Sequence, residues 1–163
     1  SSDVCSSDLT MASIDRSDPV ILGHVLAEHR ELFCQMVAVR NAFAEPGPPT
    51  RRRVEQIVAA LNALRDHLCT HFRQEECGGF LEESISRIPR LAAAATEIVK
   101  QHPALLAELD GLIGRLAGGD ATASTWEQAD RDFEQFWAHM MAHERSENEV
   151  VQQGYNEDLG LLD

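Results

Sequence analysis

The sequence predicts an all-α fold, an antiparallel up-down-up-down four-helix bundle, and three observations lead there. Four stretches carry apolar residues at helical spacing, separated by breaks rich in proline or glycine. The last two stretches repeat the pattern of the first two. One stretch of each half carries the same row, His-x-x-x-His-x-x-x-Glu: His67, His71 and Glu75 in the first, His139, His143 and Glu147 in the second. No segment shows the alternation that would compete as a strand.

A chain of 163 residues suffices for one domain with a real core, and 44% hydrophobic with 25% charged residues reads as globular rather than disordered. The formal charge of −13 argues against a nucleic-acid partner, which needs a basic face, and against an anionic membrane surface. No apolar run reaches the length of a membrane span, and no signal peptide is recognisable. Cys5, Cys34, Cys69 and Cys77 show no C-x-x-C spacing and read as free thiols in a reducing cytoplasm. Cys69, off the histidine row, is expected to pack rather than ligate.

Residues 1–10 repeat the triplet SSD, resemble a translated library adaptor and are set apart from the domain, which is taken as 11–163 with Met11 as its start. Asp18 and Pro19 open the first helix as N-cap and first helical residue. Its stripe is Leu22, Val25, Leu26, His29, Leu32, Phe33, Met36 and Phe43, with His24 facing away. The run from Glu45 to Pro49 ends it. Thr50 caps the second helix, whose stripe is Ile57, Ala60, Leu61, Leu64, His67, Leu68, His71 and Glu75. Gly78 and Gly79 stop it, and 80–89 form an irregular connection.

The third helix runs from about Arg90 to Leu116, with Leu91, Ala95, Ile98, Val99, His102, Leu105, Leu106, Leu109 and Ile113 on one face. Pro103 lies inside it, but the stripe keeps its phase across the proline, so one kinked helix is expected. After Gly118 and Gly119, Ser124 and Glu127 have capping-box spacing and start the fourth helix. Phe136, His139, Met140, His143, Glu147 and Val150 form its inner stripe, and Gly154 is expected to end it.

A step of four residues turns an α-helix about 40° past a full revolution, so each His–His–Glu row stands on one face. The repeat adds a lone histidine to each half, His29 and His102. In an antiparallel bundle these and the two rows converge on one layer, expected toward one end. Burying His29, His71, Glu75, His102, His143 and Glu147 together without compensation would be very costly, and a metal supplies the compensation. Two carboxylates can bridge two metals. Two histidines per metal, the shared carboxylates and an oxide or hydroxide bridge leave an open place on an octahedral ion. Nitrogen and oxygen donors without thiolate suit iron, two ions in this arithmetic, with manganese or zinc less favoured. His67 and His139, one turn further along, are candidates for extra ligands or for donors that orient one from behind. An open place implies a small diatomic ligand or peroxide.

The motifs Glu28-His29-Arg30, His71-Phe72-x-x-Glu75-Glu76, Gln101-His102-Pro103 and His143-Glu144-x-x-Glu147-Asn148 together resemble the hemerythrin-like family, the HHE cation-binding domain, over roughly residues 18–155. The resemblance implies a four-helix bundle holding a non-haem di-iron centre on the same six residues, bridged by oxygen and two carboxylates. The chain departs from oxygen-carrying hemerythrins at Leu106, where they have a further ligand histidine, and at Glu147, where they end in a longer-spaced aspartate. It fits the broader group better, for which oxygen or nitric oxide sensing, iron handling and peroxide or nitrosative defence have been proposed. A binding protein for dioxygen or nitric oxide, or for iron itself, is favoured over an enzyme. The inner stripes outside the metal layer are apolar and offer few spare proton donors. The alternative is a di-iron enzyme of peroxide or nitrosative-stress defence, with His67 or His139 moving protons. A sensor would need a separate redox or signalling protein as partner.

Overall fold

The computed structural model describes residues 19–77, 81 and 89–160, and among these it contains four helices and no strand. They are α1 (Pro19–Ala44), α2 (Arg51–Glu76), α3 (Pro89–Gly118) and α4 (Ala123–Gly160). The adaptor-like segment, Met11, Cys5, Asp18, Gly78, Gly79 and most of the 80–89 connection lie outside the described residues, as do the side chains of Leu22, His24, Val25 and Leu26.

Local chemistry sets the boundaries. Thr50 is extended, and its hydroxyl accepts the Arg53 amide at 3.3 Å, satisfying one of the free donors at the start of α2. At the start of α4 the same task falls to Thr122, whose hydroxyl accepts the Thr125 amide at 3.2 Å. The expected cap at Ser124 is therefore corrected by two residues: Ser124 is already helical. Pro103 sits inside an unbroken α3, as its in-phase stripe predicts. The expected stop at Gly154 is not one. Gly154 is buried within α4, because Val150, Val151 and Gly154 keep the apolar stripe in phase beyond the site.

Each helix packs on two neighbours in the closed order α1, α2, α3, α4, α1, consistent with a four-helix bundle. Partners run in opposite numerical order along each seam. Glu28 meets His71 and Gln35 meets His67; Arg65 meets Asp110 and Glu76 meets His102; Gln101 meets His143 and Glu108 meets His139; His29 meets Glu144 and Arg40 meets Glu134. The main core joins Leu32, Met36, Val39 and Phe43 to the inner residues of the other three helices, centred on Leu61, Leu64, Leu109 and Phe133. A smaller cluster of Leu81, Ala95, Ile98 and Val150 forms a second core. By position along the helices, the histidine–glutamate layer falls between the two. The layer lies off-centre, at the end where α2 stops one residue past Glu75, although α4 continues well past Glu147. Phe33, placed on the inner stripe from its spacing, is 44% exposed, at the outer margin of α1 against Trp137.

The turn between α1 and α2 depends on one side chain. The Arg53 guanidinium donates to the carbonyls of Ala42 (3.3 Å), Glu45 (2.8 Å), Gly47 (2.7 Å) and Pro48 (3.0 Å) and lies 4.6 Å over the Trp126 ring. It thereby serves carbonyls left free at the end of α1. Gly47 has φ +113°, a conformation that other L-residues rarely adopt. Arg53→Ala should cost about 2 kcal/mol through the lost charged hydrogen bonds and lower the melting midpoint by roughly 4–8 °C. Arg53→Lys should recover less than half, because the planar fork is lost. An unchanged midpoint in a thermal melt of Arg53→Ala would show that the turn is held by other contacts.

Candidate metal centre

Position along a helix decides which face a side chain takes, and in all four helices the predicted row faces inward. His71, Glu75, His102, His143 and Glu147 are each at most 4% exposed, and His29 keeps 10% of its side chain in contact with solvent. Three groups have donor atoms within 4.8 Å of one another: His29, His71, Glu75 and Glu147; Glu75, His102 and His143; and His143, Glu144 and Glu147. All six residues singled out from spacing are therefore brought together, and Glu75, His143 and Glu147 each belong to two groups. Glu75 Oε1 lies 2.6 Å from His71 Nε2 and its Oε2 lies 3.3 Å from His102 Nε2. His29 Nε2 lies 3.5 Å from Glu147 Oε2 and 3.8 Å from Glu75 Oε1.

The two nitrogens of each ring are used differently. Every Nδ1 faces an oxygen of the next helix: His71 Nδ1 donates to Glu28 (3.3 Å), His102 Nδ1 to Glu76 (2.7 Å), His143 Nδ1 to Gln101 (3.0 Å), and His29 Nδ1 lies 2.9 Å from Glu144 Oε2. An ionised carboxylate only accepts, so this arrangement keeps a proton on Nδ1 and aims Nε2 inward, where its lone pair is available to a cation whenever no second proton occupies it. All four Nε2 atoms, both Glu75 oxygens and Glu147 Oε2 are buried without an aligned hydrogen-bond partner. Buried polar atoms are ordinarily satisfied. Orphaned atoms here converge on one layer, and they are nitrogen and carboxylate donors, the set a borderline or hard cation requires. The residues fit a metal.

Electrostatics point the same way. Burial alone would push Glu75 up, but His102, His29 and His71 crowd it and hold it well below the usual carboxylate range. Burial, and then the neighbouring Glu75 carboxylate, pushes Glu147 up to about 9. Burial opposes a charge on His29, yet Glu144, Glu75 and Glu147 outweigh it and raise the ring to about 10. His71 is raised in the same sense by Glu75 against burial. Burial and the neighbouring His102 hold His143 down to about 4. Without a cation, the layer balances Glu75 with imidazolium and keeps Glu147 protonated. A bound cation would do both jobs with fixed charge.

His67 and His139 are not drawn into the cluster. His67 is half-buried, with Nδ1 3.0 Å from the Gln35 side-chain oxygen. The His139 side chain is half exposed and pairs with Glu108 at 2.8 Å. Four residues that the spacing argument passed over do the orienting instead: Glu28, Glu76, Gln101 and Glu144. Their signal was adjacency, since each is next in sequence to a candidate ligand. Phe72 completes the floor, stacking on His102 with ring centroids 3.8 Å apart. Cys69 is half-buried and outside every donor group; with Cys34 and Cys77 it is a free thiol.

Beside the cluster lies a cavity of about 300 Å³ between α1 and α4, lined by Leu32, Phe33, Met36, Met140 and Met141 and reaching His29 and Glu144. Among the described residues the α1–α4 seam is the least closely packed of the four. The solvent-facing edge of the layer is thus the His29–Glu144 pair.

The shifts fix a pH dependence for the cation-free protein. Glu147 is raised from 4.5 to about 9, so its neutral form favours folding at low pH, and that advantage is lost as pH climbs from 4.5 to 9. His29, raised from 6.5 to about 10, stabilises fully below 6.5 and loses its contribution as pH rises through 10. The denaturant midpoint measured in chelator should therefore fall between pH 6.5 and pH 9. Glu147→Gln, which stays neutral, should flatten part of that slope; an equal slope in the variant would mean that Glu147 is already ionised at pH 6.5.

A profile of the hemerythrin HHE cation-binding domain matches residues 20–153. Neither the curated proteins nor the solved structures provide a match. The matched span runs from the start of α1 to α4 and contains every residue of the cluster. The chain belongs to the hemerythrin HHE cation-binding domain family.

Proposed function

We propose that this protein binds two metal cations, iron by preference, and presents them to a small ligand such as dioxygen or nitric oxide. The observation that carries the reading is the convergence of four bare Nε2 atoms and two carboxylates in one buried layer. His29 and His71 would hold one cation, His102 and His143 the other, with Glu75 and Glu147 shared. Bound iron would supply an open coordination place and a reversible change of oxidation state. The chain's own residues orient the imidazoles, exclude bulk water through the two apolar clusters, and leave access at the α1–α4 cavity. The apolar part of the lining, Phe33, Met36, Met140 and Met141, suits a small neutral molecule, with Arg30, Glu144 and Asn148 as polar groups beside it.

The same reading takes the helices as an antiparallel up-down-up-down bundle, supported by the opposite numerical order of partners along every seam. The free thiols favour a reducing compartment such as the cytoplasm. None of the described helices is long and apolar enough to cross a membrane.

One observation favours the alternative, a peroxide- or nitrosative-defence enzyme. Glu144 holds His29 through Oε2, lines the cavity, and keeps a buried, unpartnered Oε1. That oxygen is placed to take or give a proton to a guest in the cavity, a role that neither His67 nor His139 can fill from its position.

Metal analysis of protein purified in air should find about two irons per chain, by the family's cation-binding description and the doubled donor set. Glu75→Ala should lose most of the metal, and His139→Ala should lose none; two irons retained in Glu75→Ala would overturn the bridging assignment. Met141→Trp should slow nitric oxide binding to the ferrous protein by an order of magnitude or so through the narrowed cavity, at unchanged metal content. An unaltered rate would move the entry elsewhere. Sustained oxygen evolution from added peroxide, abolished by Glu144→Gln, would select the enzyme.

A further inference from the structure

The four orienting contacts form a closed ring with one odd member. Glu28 on α1 holds His71 of α2, Glu76 on α2 holds His102 of α3, Gln101 on α3 holds His143 of α4, and Glu144 on α4 holds His29 of α1. Three of the acceptors are carboxylates and one is an amide. An anionic acceptor behind an imidazole makes its far nitrogen a stronger donor to a metal, and a neutral acceptor does so less. The His29–His71 position has carboxylates behind both rings and two carboxylates, Glu75 and Glu147, among its own donor atoms. The His102–His143 position has a carboxylate behind one ring and an amide behind the other, with Glu75 grouped with both its histidines and Glu147 with His143, so the difference between the positions lies chiefly behind the rings.

We infer that the two cation positions are unequal, that the His29–His71 position fills first and holds its ion more tightly, and that Gln101 is the positioning residue that sets the difference. The inference rests on the two-cation reading. It goes further in naming an order of loading and the side chain that governs it. One position would stay occupied under conditions that empty the other, so the second cation is the exchangeable one. Gln101 itself is exposed, and glutamate has its shape, so the contact can be recharged without disturbing the core.

Cobalt(II) added stepwise to the metal-free full-length chain tests this, read by its visible absorption and by competition with a chelator. The wild type should bind in two resolved steps about tenfold or more apart in affinity. Gln101→Glu should tighten the second step and narrow the gap, and Gln101→Ala should widen it. Glu28→Gln should weaken the first step and narrow the gap from the other side. Thermal melts of the metal-free variants check that each is folded. Two cobalt ions bound in a single step by the wild type, or a gap that neither Gln101→Ala nor Glu28→Gln alters, would overturn the inference while leaving the two-cation reading intact. Failure of the wild type to take up cobalt at all would sink the reading beneath it.

Discussion

Four imidazoles and two carboxylates share one dry layer, and the rest of the fold answers to that constraint. Each ring is tied from behind by Nδ1 and left bare in front at Nε2. Taking such groups out of water is costly unless opposite charge is supplied within the layer. The raised His29 and Glu147 and the lowered Glu75 and His143 are what the protein does with its own protons when nothing else is present. A cation removes the need for that compromise, so binding and stability are coupled through the same atoms.

The apolar parts can be understood as what makes the layer tolerable. The larger core lies on one side, through Leu61, Leu64, Leu109 and Phe133, and the cluster of Leu81, Ala95, Ile98 and Val150 lies on the other. The length of α4 follows, since Val150 and Val151 must lie beyond Glu147 to close the second side. The seam between α1 and α4 is the exception. It leaves a cavity, keeps Phe33 in solvent contact and exposes one edge of His29. A perfectly packed seam would stabilise the fold and bar any guest from the centre, the usual opposition between stability and function.

Helices and inner ligands were legible in the sequence because both depend on a spacing of three to four residues. His71, Glu75, His143 and Glu147 repeat at that interval, and His29 and His102 sit in apolar stripes. What escaped was set by other forces. Phe33 fits the α1 stripe but lies at its margin, where the loose seam ends burial. Gly154 carries a stop signal that tertiary packing overrides, because a buried glycine lets α4 run on. Thr122 takes the cap from Ser124, and both are ordinary capping residues, so the choice is made by where the chain turns. His139 repeats His67 in sequence but not in surroundings: one is on solvent beside Glu108, the other half-buried beside Gln35.

The orienting ring was written in the sequence as well, in a form that only geometry makes readable. On α1 and α3 the orienting residue precedes a ligand, as Glu28 precedes His29 and Gln101 precedes His102. On α2 and α4 it follows one, as Glu76 follows Glu75 and Glu144 follows His143. Consecutive side chains on a helix differ by about 100°, so a neighbour of an inward-facing ligand points sideways at the adjoining helix. Viewed from one end of the bundle, the preceding residue of an upward helix and the following residue of a downward one turn in the same sense. The switch between preceding and following is therefore what the proposed alternation of helix direction requires for every helix to reach the next one round. Rotation of any one helix about its axis would break the contact it makes and disturb the ligand beside it. Four short contacts at 2.7–3.3 Å thus hold four rings in register, and the single neutral link among them, Gln101, is where the two halves of the repeat cease to be equivalent.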